Sequence, residues 1–197
     1  MGKEKYQTKI GKLFAKSPVV DAVSIARTVR SKKKASQYHK QLIRNLLLSG
    51  KIKRLAKGYY TALNDPSLAV FCFPPAYLGL QDALSARNLW EQETIPVIIT
   101  SRKIRPGIRK ILGSNVLVRR LDRRYMFGIE YLKVGDTYLP YSDAEKSLID
   151  MVYFKEPLSG EALVKIIAGL KKKRLASHLK AYPKKVRERV MAIVGTA

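Results

Sequence analysis

From Ala22 to Asn64 the chain has no Asp or Glu, while the stretch from Arg30 to Tyr60, RSKKKASQYHKQLIRNLLLSGKIKRLAKGYY, sets ten Lys and Arg residues among regularly spaced aliphatic ones. A region this basic folds only if its apolar side chains converge on one face and its cations on another. The spacing allows that. Leu42, Ile43, Leu46 and Leu47 recur at i, i+1, i+4 and i+5, one stripe of a helix. Ser36 is the expected N-cap and Gly50 the expected stop. Upstream, Ile10, Leu13 and Phe14 predict a helix that ends before Pro18, and Ala22, Ile25, Ala26 and Val29 predict a second. Downstream, Lys51–Leu55 and Tyr59–Leu63 flank Ala56-Lys57-Gly58, the pattern of a tight hairpin.

Three short helices followed by a basic hairpin is the winged helix-turn-helix plan. In that plan the third helix enters the major groove and the hairpin rests on the flanking backbone. Gln37, Tyr38, Lys40, Gln41 and Arg44 are the residues expected to reach base edges, since Gln matches adenine and Arg or Lys matches guanine. Lys32, Lys33, Lys34, Ser36, Lys51, Lys53, Arg54 and Lys57 are expected to meet phosphates. Tyr59 and Tyr60 are expected to pack the wing onto its core.

The whole chain carries 39 Lys and Arg against 15 Asp and Glu, a formal net charge of +24 over 197 residues. That balance calls for a polyanionic partner. Double-stranded DNA is the first expectation, and RNA, as an RNA-binding or ribosome-associated protein, is the alternative. Two further basic zones stand apart. Residues 101–124 contain Asp122 as their one acid, and residues 171–189 contain Glu188. Arg102, Lys103, Arg105, Arg109, Arg119, Arg120, Arg123 and Arg124 are therefore candidates for a second nucleic-acid face.

The turn residues of LNDPS, where the charge changes sign, suggest a division into residues 1–64 and 65–197. In the second part, TIPVIIT (94–100) and 116–121 read as strands, and 127–134 with 137–141 as a hairpin about Gly135-Asp136. A helix is expected to begin near Leu78 or Leu80. Ser142 and Glu145 suggest a capping box for the helix bearing Leu148, Ile149, Val152 and Tyr153, with Lys146 on the surface. Helices are expected over 160–170, 173–181 and 183–194. The expected class is α+β: a winged helix-turn-helix followed by a larger mixed, largely antiparallel domain.

Catalysis is not expected. Asp143, Glu145 and Lys146 do not have a nuclease's spacing. Gly113-Ser114 lacks the D-x-D pair that a nucleotidyltransferase needs for its metal. There is no phosphate-binding G-x-x-x-x-G-K-[ST] loop and no H-E-x-x-H. Cys72, the one cysteine, sits in AVFCF and reads as a buried thiol, so neither a disulfide nor a zinc cluster is expected. No metal or cofactor is expected. MGKEKYQTKI lacks the apolar core of a secretory signal, and no window is apolar enough to span a bilayer, so a cytoplasmic protein with no membrane partner is expected.

Three segments resemble the AbiEi family, the DNA-binding antitoxins of type IV toxin–antitoxin pairs. They are KRLAKGYY (53–60), PPAYLGLQDALSARNL (74–89) and DAEKSLIDMVY (143–153). With the domain order, the resemblance spans most of residues 10–155. Asn88, Ala144 and Ser147 depart from the family's usual Gly, Pro and Ala. The resemblance implies a repressor of its own operon. It also implies that the protein counters a nucleotidyltransferase-like toxin without forming a tight complex with it.

Overall fold

The computed structural model describes residues 2–29, 38–158 and 160–195. The chain is α+β and divides into two compact units. One comprises Met1–Cys72 with Lys110–Ser114, the other Phe73–Arg109 with Asn115–Ala197.

The first unit runs α1 (Gly2–Lys16), β1 (Val20–Asp21), α2 (Ala22–Val29), α3 (Tyr38–Leu48), β2 (Lys53–Ala56) and β3 (Tyr59–Thr61), then a 3-10 turn over Pro66–Cys72. Helix α2 starts where it does because Asp21 Oδ1 accepts the Ser24 N–H at 2.6 Å. Helix α3 ends at Gly50, whose φ of +68° suits the left-handed stop that only glycine adopts without strain. Ile10, Val20, Ile25, Val29, Leu42, Ile43, Leu46, Ile52 and Tyr60 form one core. At about 1.5–3 kcal/mol per fully buried aliphatic side chain, this cluster is what holds three short helices together. The three-stranded antiparallel sheet has order β1-β3-β2. Strand β1, only two residues long and not anticipated from sequence, pairs Val20 with Tyr60 and Asp21 with Tyr59. It ties the hairpin to the helices, and Ala22 N–H adds a bond to Gly58 O at 2.8 Å. This is the winged helix-turn-helix arrangement. Tyr60 is buried in this core and packs the wing onto it as expected, whereas Tyr59 is half-buried.

The second sheet has order β6-β7-β5-β4-β9-β8. Its strands are β4 (Ala76–Leu78), β5 (Val97–Thr100), β6 (Gly107–Ile111), β7 (Ser114–Arg120), β8 (Ile129–Val134) and β9 (Thr137–Ser142). The sheet is mixed: β4 with β5 and β8 with β9 are antiparallel, whereas β4 with β9 and β5 with β7 are parallel. Strands β4 and β6 were not anticipated. Helix α4 (Leu80–Ser85) follows β4, and α5 (Ala144–Phe154) follows β9. Helices α6 (Gly160–Gly169), α7 (Lys172–Leu179) and α8 (Lys184–Gly195) then pack on α5. Leu148, Ile149, Met151 and Val152 of α5 lie in a core shared with Leu80, Leu84, Ile166, Leu175, Leu179 and Val190.

Two sequence expectations about α5 are corrected. Asp143, not Ser142, is the N-cap, its carboxylate accepting the Lys146 N–H at 2.7 Å. Ser142 ends β9 and meets the Ser147 hydroxyl at 2.8 Å, and Glu145 turns away to accept Lys171 N–H at 2.6 Å. Lys146, expected on the surface, has no exposed area. Asp143 stands at the position from which a side chain faces the first-turn N–H groups, while the Ser142 hydroxyl, one residue earlier, is engaged by Ser147.

Candidate nucleic-acid interface

Burying Leu42, Ile43 and Leu46 leaves the opposite side of α3 to solvent. Lys40, Gln41, Arg44 and Asn45 are exposed there, and Tyr38 is half-buried at the helix start. Tyr38, Lys40, Gln41 and Arg44 line a shallow depression together. Gln41 Nε2 donates to Asn45 Oδ1 at 3.3 Å, one helical turn on. Asn45 was not singled out from sequence. Its spacing of four from Gln41 was the available signal.

Gln37, Lys32, Lys33, Lys34 and Ser36, expected to contact bases or phosphates, lie outside the described residues. The remaining phosphate candidates follow α3 directly. Lys51, Arg54 and Lys57 are exposed. Arg54 lies 6.0 Å from the Tyr60 ring centroid, and Gly58 closes the wing turn with φ +82°. Lys53 is half-buried and donates to Asn64 Oδ1 at 2.8 Å, so it is partly committed within the unit.

In the second unit the eight basic candidates separate into two groups. Arg119 pairs with Glu156 and lies over the Phe154 ring. Arg109 donates to Arg105 O at 2.9 Å and lies over Phe73. Arg124 pairs with Asp122 at 3.5 Å and lies over Tyr125. Lys103, Arg105, Arg120 and Arg123 form the second group, all exposed, and Arg102 is exposed as well.

The same unit hides a polar cluster that sequence reasoning did not find. Lys146 Nζ contacts Asp150 Oδ1 and donates to Tyr77 OH at 2.9 Å, and Tyr77 OH donates to Asp150 Oδ2 at 2.6 Å. Tyr182 OH reaches Asp150 Oδ1 at 3.4 Å. Burial drives both members toward their neutral forms. It lowers the Lys146 pKa against the pull of Asp150, and raises that of Asp150 against Lys146, Tyr77 and Tyr182. Burial likewise raises the Tyr77 phenol well above its usual range. Cys72 is buried as expected, and burial pushes its thiol up to about 12. Among the described residues, no three His, Cys, Asp or Glu side chains are placed to hold a metal ion. No helix among them is long and apolar enough to cross a membrane.

No family model matches the chain, and no curated protein matches it by sequence. Among solved structures it is similar to the crystal structure of the RV2827C protein from Mycobacterium tuberculosis. The TM-score is 0.63 at 15% identity, over 97% of this chain and 76% of that one. That likeness is one of fold.

Proposed function

We propose that the protein is a DNA-binding transcriptional regulator that reads duplex DNA with α3 and the β2–β3 wing. The observation that carries this reading is the exposed row Lys40, Gln41 and Arg44 on α3, directly opposite its buried stripe. The row lies in a segment without one acidic residue. Lys40 and Arg44 offer donors to guanine, and Gln41 offers a donor and an acceptor to adenine. Lys51, just before the hairpin, and Arg54 and Lys57 within it supply charge for the backbone. The resemblance to AbiEi antitoxins supports the narrower reading. In it, the regulator represses its own operon and opposes a nucleotidyltransferase-like toxin.

A binding titration tests the reading, with three labelled ligands of equal length: duplex from upstream of the protein's own gene, a scrambled duplex, and an RNA stem-loop. An autoregulator binds the first about a thousandfold tighter than the second. Equal binding to both duplexes overturns sequence-specific regulation. Within the preferred duplex, Arg44→Ala or Gln41→Ala should cost about 1–3 kcal/mol and relax preference at one position. Lys57→Ala should weaken all duplexes alike.

A further inference from the structure

Strands β5 and β7 run parallel, with Thr100 in register with Arg120. Parallel neighbours end on the same side of a sheet, so the chain leaving β5 starts beside the chain leaving β7. Leu121 N–H confirms the contact by donating to Thr100 O at 3.0 Å. Residues 101–106 after β5 have neither helix nor strand, and a tight turn folds them, Ile104 N–H donating to Arg102 O at 2.8 Å. After β7 comes a single 3-10 turn, Arg123–Tyr125. Lys103 and Arg105 on the first segment are thereby brought to the same end of the sheet as Arg120 and Arg123 on the second. All four are exposed. None has an acidic partner among the described residues, because the nearby carboxylates of Glu156 and Asp122 are taken by Arg119 and Arg124.

We infer that this end of the second unit is an RNA-binding face, separate in residues and in ligand from the α3 surface. Four like charges gathered by tertiary structure repel one another until a polyanion meets them. Three of the four are arginines, whose planar forks grip phosphates and stack on unstacked bases. Their backbone is irregular. Neither of these two segments is itself a long helix or a hairpin of the kind that enters a duplex major groove, the roles read for α3 and the wing in the first unit. Single-stranded loops, which offer both bare phosphates and splayed bases, fit arginines on short loops.

The test uses the full chain, a labelled RNA stem-loop and the duplex preferred in the titration above. The triple variant Arg105→Gln, Arg120→Gln, Arg123→Gln should weaken RNA binding about tenfold or more. It should leave duplex binding within about twofold. Lys180→Gln, Lys185→Gln, Arg189→Gln removes the same charge from α8 and the turn before it and should change RNA binding little. Replacing the same three arginines by Lys keeps charge and fold, and should still weaken RNA binding because stacking is lost. Far-UV circular dichroism and a thermal melt check that each variant folds. The inference is overturned if wild type does not bind the RNA, or if the α8 variant weakens it as much as the loop variant. It is also overturned if the loop variant weakens duplex and RNA equally, which would make the face a second DNA contact. Failure of the α3 reading shows instead as loss of duplex preference with RNA binding intact.

Discussion

Lys146 sits with its ammonium against three aromatic rings, 5.3 Å from the Tyr77 centroid, 5.6 Å from Phe127 and 5.7 Å from Tyr182. Its contact with Asp150 is equally closed to water. A charge in such a place persists only with a partner, so removing one side strands the other. Asp150→Ala should destabilise the fold by about 3–5 kcal/mol. Lys146→Met with Asp150→Leu should cost much less, and urea titrations of both variants decide it. A double variant as unstable as the single one would mean that packing and the stranded Tyr77 hydroxyl, not charge, set the cost. Glu130 offers a pH test. Partial burial works to raise its pKa, but hydrogen bonds from Arg174 at 2.6 Å and Arg87 at 3.2 Å prevail and hold it below its usual 4.5. A carboxylate depressed in the folded state adds stability above its unfolded pKa and loses it as pH falls through the folded one. Melting temperature should therefore drop as the pH falls below about 4.5, and Glu130→Gln should remove part of that drop. An acid limb identical in the variant would show that these arginines do not tune Glu130.

At the scale of elements, the start of α5 is where several pieces meet. Asp143 caps the helix through Oδ1, while Oδ2 lies 2.8 Å from His178 Nε2 of α7 and 3.7 Å from Arg174 Nη1. Glu145, in the same turn, satisfies the Lys171 N–H that opens α7. One turn of α5 thus orients α7 as well as itself. Gly128 passes so close that an added Cβ would lie 2.9 Å from His178 Nε2 and 3.0 Å from Lys146 Cβ, at φ +66°. Gly135, at φ +56°, has open space around it. Alanine at Gly135 should cost about 1–2 kcal/mol, from the left-handed backbone alone. Alanine at Gly128 should cost clearly more, and equal losses in paired thermal melts would exclude the crowding argument. Asp143→Ala should cost more than the ordinary cap loss of about 0.5–2 kcal/mol, because the His178 contact goes with it.

For the whole molecule the net charge of +24 is divided among surfaces rather than spread evenly. If six to eight phosphates are neutralised on duplex DNA, log affinity should fall against log salt with a slope of about −5 to −7. The Arg105, Arg120 and Arg123 triple variant should leave that slope unchanged while making the RNA slope shallower. A duplex slope near zero would remove nucleic acid as the partner of α3.

Much of the first unit was legible in the residues because its signals are local. The Leu42, Ile43 and Leu46 stripe, Gly50 and Gly58 each act within a few positions of themselves, and they specified α3, its end and the wing turn. The row of Lys40, Gln41 and Arg44 followed as the complement of that stripe. Strand β1 escaped notice because two residues carry no period, and β6 because its alternation is short and its apolar content low. What no local pattern could settle was pairing at a distance. The parallel register of β5 with β7 brought Lys103 and Arg105 to the same end of the sheet as Arg120 and Arg123, while Arg109, Arg119 and Arg124 are held by a carbonyl, rings or carboxylates. Lys146 is the sharpest case. A lysine beside a glutamate reads as surface because burying an ammonium costs several kcal/mol. Only the convergence of Tyr77, Phe127, Asp150 and Tyr182, up to 105 positions apart in the chain, makes a water-free site in which that charge is matched.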